Sequence, residues 1–276
     1  RHILGACASA LALLPLLGQT AEAREIRGRL AHVFAIDSPV DQASKDFARL
    51  LKERTNGELE ISVFPNSQLG GDETLGRELA RGSLEFAFLN PGSLTGLDPL
   101  LDIHYLPYIV TDFAQADRVF YREDGILQKT LRETLKKHRM EPLAFFELEF
   151  RSVTNSVRPV NRVADLKGLK LRVPGSTGIK GFFDAAGATA VAMPFPELFT
   201  GLQQGAVDGQ DNGPSITYNS RLFEAQKHMT LTNHVYAMGT VVASDRFWDR
   251  LSEEQRKTVR AVALEVTKSQ IERNRE

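Results

Sequence analysis

The chain has 276 residues, of which 42% are hydrophobic and 25% charged, a composition typical of a globular protein large enough for two domains. Its 34 basic and 35 acidic side chains give a formal net charge of -1. Such a balance excludes the strongly basic surface that draws nucleic acid, so the composition favours a small molecule as the partner.

The first predicted element is a secretory signal peptide over residues 1–23. An apolar run from Leu11 to Leu17 is followed by Ala21-Glu22-Ala23, which is typical of a cleavage site after Ala23, and the run is too short to span a bilayer. Cys7, the only cysteine, lies in a segment similar to a lipoprotein box, but the apolar run follows it instead of preceding it. We therefore favour ordinary cleavage and expect a mature protein without cysteine, located in the periplasm if the source is a Gram-negative bacterium.

A first lobe is predicted over residues 24–147, completed by about residues 238–250. One helix begins at Ser38-Pro39, a good N-cap followed by a proline suited to the first turn, and another follows Gly70-Gly71. Strands are expected at residues 26–34, 59–63, 83–89 and 142–146. The β-α-β-α-β order of the first elements predicts a parallel sheet with covering helices.

Asn90 follows the third predicted strand, in the loop Asn90-Pro91-Gly92-Ser93. Ligands bind at the carboxyl ends of strands in open α/β sheets, so this loop is a candidate ligand contact. The same residues are equally typical of a turn without any function.

A second lobe is predicted over residues 148–237, where a fresh α/β run begins. Its strands are expected at residues 169–173, 189–193, 206–212 and 228–231, and its helices at residues 177–186, 197–204 and 215–225. A capping box of Ser252 and Gln255 then begins a helix without Gly or Pro. This helix, over residues 251–276, is long enough to lie across both lobes, and we expect the natural chain to continue beyond it.

Arg172 is the first candidate ligand-binding residue. In the segment from Gly168 to Pro174, apolar residues alternate with Lys170 and Arg172, which predicts a strand with one buried face that ends at the proline. Arg172 then lies at the carboxyl end of a strand, where its planar guanidinium could hold a carboxylate. The alternative is a surface arginine paired with a nearby acid.

The segment from Val207 to Asn212 is the second candidate. On a strand, Asp208, Gln210 and Asn212 share one face, and three polar residues on one face seldom all point into a core. Asn212 could donate to the oxygen of an anion and accept from a hydroxyl. A polar sheet edge is the alternative, and the two acids also suggest a hydrolase, although Asp208 and Asp211 point to opposite faces.

Several kinds of site find no support in the sequence. The glycines at 175, 178 and 181 do not have the G-x-G-x-x-G spacing of a dinucleotide site, although a helix N-terminus there could offer N–H groups to a carboxylate. The histidines lack zinc spacing and no G-x-S-x-G elbow occurs, so no metal, cofactor or catalytic residue is predicted. Phe195, between two prolines, is either a core residue or an aromatic wall of a pocket.

Four segments, in this order, carry a family resemblance from about Ala31 to the end of the chain. They are Leu166-Lys167-Gly168-Leu169-Lys170-Leu171-Arg172-Val173-Pro174, Met193-Pro194-Phe195-Pro196-Glu197-Leu198, Gly205-Ala206-Val207-Asp208-Gly209-Gln210-Asp211-Asn212 with Phe223-Glu224-Ala225-Gln226-Lys227, and Leu231-Thr232-Asn233-His234. In these segments the chain resembles the substrate-binding proteins of tripartite ATP-independent periplasmic (TRAP) transporters, the DctP-like family. Asp211 and Pro196 depart from the residues that are usual at those positions, a Glu and a Ser.

The resemblance implies a two-lobed, periplasmic-binding-protein-like fold that closes on a ligand, each lobe a mostly parallel sheet flanked by helices. It also implies that Arg172 pairs with a ligand carboxylate, that Asn212 hydrogen-bonds it and that Phe195 packs beside it. Arg151 resembles the second arginine of such sites, and Glu73 resembles a residue that contacts the far end of the ligand. Weaker candidates, placed by strand ends alone, are His32, Ser38 and Asn90.

The sequence thus predicts a non-enzymatic, monomeric receptor that binds an organic acid and delivers it to the membrane permease of a TRAP transporter. A secreted α/β hydrolase that uses Asp208 or Asp211, and a ligand-sensing module, are the alternatives. Dicarboxylates, 2-oxo acids, sugar acids and sialic acid all suit an arginine clamp, so the sequence does not identify the acid.

Overall fold

The computed structural model describes residues 25–276, so the predicted signal peptide and Cys7 lie outside the described residues. Within that range, ten strands, β1 to β10 in chain order, span Ile26–His32, Leu59–Phe64, Phe86–Leu89, Met140–Phe150, Ser152–Asn155, Lys170–Val173, Thr189–Ala192, Gly209–Asn212, His228–Thr230 and Tyr236–Ser244. Nine α-helices of the same range, α1 to α9, span Pro39–Arg54, Asp72–Arg81, Phe113–Phe120, Ile126–Lys137, Thr177–Ala185, Phe195–Gln203, Pro214–Asn219, Asp245–Trp248 and Glu253–Arg275. None of the helices in residues 25–276 combines the length and apolar character needed to cross a membrane.

The strands form two five-stranded sheets, one in each lobe, and this two-lobed α/β fold confirms the prediction. Sheet A has the order β2-β1-β3-β10-β4, and sheet B has the order β7-β6-β8-β5-β9. In sheet A, β1 is parallel to β2 and β3, whereas β10 is antiparallel to β3 and β4. In sheet B, β6 is parallel to β7 and β8, whereas β5 is antiparallel to β8 and β9. Both sheets are therefore mixed.

The predicted helix starts agree with the structure because their capping chemistry is local. Ser38 Oγ accepts a hydrogen bond from the backbone N–H of Asp41 (3.3 Å), with Pro39 as the first residue of α1. Ser252 and Gln255 form the predicted reciprocal capping box at the start of α9.

Most predicted elements have somewhat different bounds in the structure, and three of these differences have a local explanation. Residues 83–85 do not belong to β3, because Ser83 and Leu84 donate to Glu78 O and complete the C-terminus of α2. β4 is longer than predicted and contains Pro142, which an edge strand of a sheet tolerates. The helix predicted over residues 215–225 is broken where Arg221 adopts a left-handed conformation (φ 54°) between α7 and a short 3₁₀ helix.

Two adjacent chain segments connect the lobes. Arg151 alone separates β4 of sheet A from β5 of sheet B, and the chain returns from β9 to β10 through residues 231–235. The backbone N–H of Arg151 donates to Val235 O (2.8 Å), so the two connections run side by side. Arg151 therefore lies where the lobes meet.

The long helix α9 packs mainly against α1 and β4 of the first lobe. The side chain of Gln270 accepts from the N–H of Glu147 (2.9 Å) and donates to its carbonyl (3.0 Å), which fastens the helix to β4. Near its end, Asn274 Oδ1 accepts from Ser215 Oγ of α7 (3.2 Å), so the helix also reaches the second lobe.

Candidate functional site

A cavity with about 450 Å³ of empty space lies between the two lobes. Its walls include residues from the ends of β1 and β3 and the start of α2 on one side, and from the ends of β6 and β8 on the other. The lining residues are Val33, Phe34, Asp72, Glu73, Asn90, Ser93, Leu148, Arg151, Arg172, Pro174, Phe195, Asn212 and Ile216. Seven of these thirteen residues are polar or charged and six are apolar, so the cavity suits a small polar molecule.

Arg172 lies near the carboxyl end of β6, as predicted, and its side chain lines this cavity. Only 3% of the residue is exposed, and its Nε donates to the carbonyl of Met193 (2.8 Å). This is the one hydrogen bond that its side chain makes within residues 25–276, so both Nη atoms remain available to a ligand. Burial lowers the pKa of Arg172 to about 10, which still leaves the guanidinium charged at neutral pH.

Arg151 also lines the cavity, but another part of the protein neutralises its charge. Its Nε donates to Asp211 Oδ2 (2.7 Å), its Nη1 donates to the hydroxyl of Tyr105 (3.4 Å), and its Nη2 bonds Asp211 O. Burial acts to lower the pKa of Arg151, but the Asp211 carboxylate outweighs it and holds the pKa above its usual range. His234 Nε2 lies 3.3 Å from the same Asp211 oxygen.

Asn212 and Phe195 lie beside Arg172 on the second-lobe wall. Asn212 Nδ2 donates to Gln210 Oε1 (2.5 Å), and this contact orients its amide. Phe195 is the first residue of α6. The guanidinium carbon of Arg172 lies 5.7 Å from the centroid of its ring. The structure thus brings together the three residues that the sequence proposed for one end of a ligand.

The opposite wall contains Glu73 and Asn90, the two first-lobe candidates that line the cavity. Asn90 donates from Nδ2 to the Tyr105 hydroxyl and accepts from the N–H of Gly92 (3.0 Å), so its amide is held by the protein. Glu73 lies in the first turn of α2, next to Asp72. A Cβ built on Gly175, beyond the end of β6, would lie 3.3 Å from Glu73 Oε1, so this carboxylate reaches the second lobe.

Asp72 is a cavity residue that sequence reasoning missed. It is the first residue of α2, 7% exposed, and its Oδ1 has no hydrogen-bond partner within residues 25–276. Burial, reinforced by the charge of Glu73, raises the pKa of Asp72 to about 7. The sequence signal was present, because Asp72 shares the Gly70-Gly71 turn with Glu73.

His32 and Ser38 do not line this cavity. His32 Nε2 lies 3.3 Å from Asp41 Oδ1 and 3.1 Å from Ser44 Oγ, inside the first lobe, and burial lowers its pKa to about 4. Ser38 caps α1 and borders a second cavity, of about 320 Å³ empty space, which shares Phe34 and other apolar walls with the first. These two candidates were predicted from strand ends alone, and neither residue lines this cavity.

The two acids of the hydrolase alternative have separate partners. Asp211 is buried against Arg151 and His234, whereas Asp208 accepts from the backbone N–H of Lys170 (2.8 Å). They therefore do not share a site. Over residues 25–276, no group of three or more His, Cys, Asp or Glu side chains is arranged to hold a metal ion.

Comparison with known families gives a match to the model described as "Bacterial extracellular solute-binding protein, family 7" (DctP) over residues 30–276. The chain is 34% identical over 212 residues to the 2,3-diketo-L-gulonate-binding periplasmic protein YiaO of Escherichia coli K12, covering 77% of this chain and 64% of that protein. It is 33% identical over 271 residues to the C4-dicarboxylate-binding periplasmic protein DctP of Rhodobacter capsulatus, covering 97% of this chain and 79% of that protein.

A solved structure is similar over most of the chain. It is the sugar acid binding protein DctPAm of Advenella mimigardefordensis in complex with galactonate, with a TM-score of 0.87 and 32% sequence identity. The match covers 91% of this chain and 80% of that chain. The ligands of these similar proteins thus include both a dicarboxylate and sugar acids.

Proposed function

This chain belongs to the DctP family of bacterial extracellular solute-binding proteins, and on that premise we propose that it is a receptor for an organic acid. The ligand would bind between the lobes, and its carboxylate would pair with Arg172. One observation carries the proposal: a buried guanidinium with uncommitted Nη atoms lines the cavity between the lobes. A buried cation of this kind gains most from an anion that it can hold bidentately.

The neighbouring residues have separate roles in this proposal. Asn212 would donate to the same carboxylate, Phe195 would pack against it, and Arg151 would complete the positive end of the site. Glu73 and Asn90 would contact the rest of the ligand from the first lobe. His32 and Ser38, which we placed among the ligand contacts on sequence, would act only in shaping the first lobe.

The receptor would serve a membrane permease of the TRAP type, with two transmembrane components. Binding stabilises the closed arrangement of two lobes, so the closed receptor would be the form that the permease recognises. We propose that the protein is exported by the predicted signal peptide, is located in the periplasm and acts as a monomer. We also propose the lobe bounds 24–147 and 148–237, with residues 238–250 returning to the first lobe and residues 251–276 spanning both.

Arg172→Ala should weaken binding of the native acid by about 2–5 kcal/mol, because the ligand carboxylate would be desolvated without a partner. That loss corresponds to roughly 30- to several-thousandfold in Kd, measured by calorimetry after a thermal-shift screen of organic acids has identified the ligand. Arg172→Lys should also bind poorly, because an ammonium does not reproduce the planar fork of the guanidinium.

Arg162→Ala is the matched control, because this arginine is exposed and does not line the cavity. Its affinity should equal that of the wild type. Unchanged affinity of Arg172→Ala would contradict the proposed clamp. Mass spectrometry of the acid recovered after titration should find it intact, and conversion to a product would favour an enzyme over a receptor.

A further inference from the structure

The charged groups of the cavity are separated by sign. Within residues 25–276, the cations that line it are Arg151 and Arg172, both on the side of the second lobe and the connection between lobes. Arg151 is paired with Asp211, so one guanidinium is left to pair with an anionic ligand group. The cavity therefore offers one strong carboxylate site, at its Arg172 end.

The opposite wall carries acids instead of a second cation. Asp72 and Glu73 occupy the first two positions of α2, and both line the cavity. Glu73 extends toward the second lobe, where its Oε1 would lie 3.3 Å from a Cβ on Gly175. The backbones of Ser93 and Gly175 lie close together here, because Ser93 O would be only 3.0 Å from the same Cβ. A ligand that reaches from Arg172 across the cavity thus meets these two carboxyl groups.

Asp72 supplies an independent sign that a ligand group belongs at this wall. It is 7% exposed, and its Oδ1 has no hydrogen-bond partner in the described part of the chain. A buried polar atom without a partner is unfavourable because it has lost its hydrogen bonds to water, and a donor from a ligand would replace them. A hydroxyl group is such a donor.

We infer that the ligand is a monocarboxylate that carries hydroxyl groups, such as a sugar acid or another hydroxy acid, and that Asp72 and Glu73 select it against dicarboxylates. This inference rests on the proposed function and names the class of acid at the same site. Hydroxyl groups would donate to the two carboxylates, whereas a second ligand carboxylate would be desolvated beside like charges. Juxtaposed like charges in an interface strongly disfavour binding.

The protonation state of Asp72 bears on how the inference is tested. Burial and the Glu73 charge raise its pKa to about 7, while Arg172, the Ser93 hydroxyl and the Asn90 backbone N–H act to lower it. A protonated Asp72 could itself donate to a carboxylate and so weaken the selection. Binding is therefore measured at pH 8, where Asp72 is mostly ionised.

The test compares acids of equal length by calorimetry at pH 8. Butanoate, 2,3,4-trihydroxybutanoate and butanedioate form a four-carbon set, and hexanoate, gluconate and hexanedioate form a six-carbon set. In at least one set, the hydroxylated monocarboxylate should bind at least about tenfold more tightly than the other two acids of that set. The inference is overturned if neither set shows this ranking, or if a dicarboxylate binds more tightly than every hydroxylated acid tested.

Charge-removing variants then test the two residues. Glu73→Gln and Asp72→Asn keep the shape of the side chains. Each should reduce the ratio of the dicarboxylate Kd to the Kd of the hydroxylated acid by about fivefold or more. Glu78→Gln, on the same helix but away from the cavity, should leave the ratio unchanged. Unchanged ratios in both cavity variants would contradict the role of these acids. Should a variant fail to fold, the wild-type ranking still decides the class of ligand.

These results also separate this inference from the proposed function. If a dicarboxylate binds best and Arg172→Ala abolishes its binding, the receptor proposal stands and the inferred class is wrong. If no organic acid binds the wild type, both fail together.

Discussion

Asp211 forms a buried ion pair with Arg151, one of the residues that line the cavity. Its Oδ2 accepts from Arg151 Nε (2.7 Å), and both side chains are almost fully buried. Burial alone would raise the pKa of Asp211, but the Arg151 charge prevails and lowers it. The carboxylate therefore stays ionised and leaves Arg172, not Arg151, as the cation free for a ligand.

Asp211→Asn should destabilise the protein by about 3–5 kcal/mol, because it leaves the Arg151 charge buried without its counter-charge. Urea unfolding at neutral pH measures the loss. Asp208→Asn provides the comparison, because Asp208 is partly exposed and, within residues 25–276, its side chain accepts only from the backbone N–H of Lys170. Equal unfolding free energies for the two variants would show that the buried Arg151–Asp211 pair does not stabilise the fold.

At the scale of elements, the N-terminus of α5 is capped by its own Ser176, whose Oγ accepts from Ile179 N (3.0 Å), and is also bonded from the other lobe. We expected the glycine-rich turn before this helix to offer N–H groups to a carboxylate, and the carboxylate that occupies it belongs to Asp102 of the first lobe. Asp102 Oδ2 accepts from Gly178 N (2.7 Å) and Thr177 Oγ1 (2.9 Å). A carboxylate at this position is stabilised by the helix dipole and joins the two lobes.

Asp102→Ala should lower the unfolding free energy by about 1 kcal/mol, as expected for a lost helix cap. It should also weaken binding of the organic acid, because a contact between the lobes favours the closed arrangement. Denaturant unfolding and calorimetry measure the two effects. Asp112→Ala, which removes the cap of α3 within one lobe, should lower stability similarly and leave affinity unchanged.

If Asp102→Ala and Asp112→Ala change affinity equally, the Asp102 contact does not contribute to closure. If Asp102→Ala leaves both quantities at wild-type values, the contact is not formed in solution.

For the molecule as a whole, stability depends on buried groups whose titrations oppose one another. Burial lowers the pKa of His104 to about 3 and that of His32 to about 4. Burial raises the pKa of Asp72 and of Glu149 to about 7. In the folded state the two histidines bind fewer protons than in the unfolded state, and the two acids bind more. The unfolding free energy therefore rises with pH because of the histidines and falls with pH because of the acids.

His104→Gln separates one of these contributions. An unfolded histidine titrates near pH 6.5, whereas folded His104 titrates near 3, so the unfolded chain binds more protons between those values. Its contribution to stability is therefore lost as the pH falls from 6.5 toward 3. Unfolding free energies measured by urea across this range should fall less steeply for His104→Gln than for the wild type, and parallel slopes would contradict the assignment.

Most of the fold could be predicted from the sequence, because the signals are short-range. Alternating residues gave the strand that carries Arg172, and Ser38-Pro39 and the Ser252–Gln255 pair gave two helix starts that the structure confirms. The ends of helices and strands were less predictable where the backbone conformation of a single residue, and not the hydrophobic periodicity, ends the element. The left-handed Arg221, which splits a predicted helix, gives no signal in the periodicity.

The family, the two-lobed α/β fold and the position of Arg172 at the end of its strand could all be predicted from the order of the residues. Three features required the folded chain: the neutralisation of Arg151, the presence of Asp72 in the cavity wall and the absence of His32 from it. The reason is that these facts depend on contacts between distant segments. The antiparallel pairing of β5 with β8 sets Val153 opposite Asp211, and so places Asp211 beside Arg151, far from it in the chain.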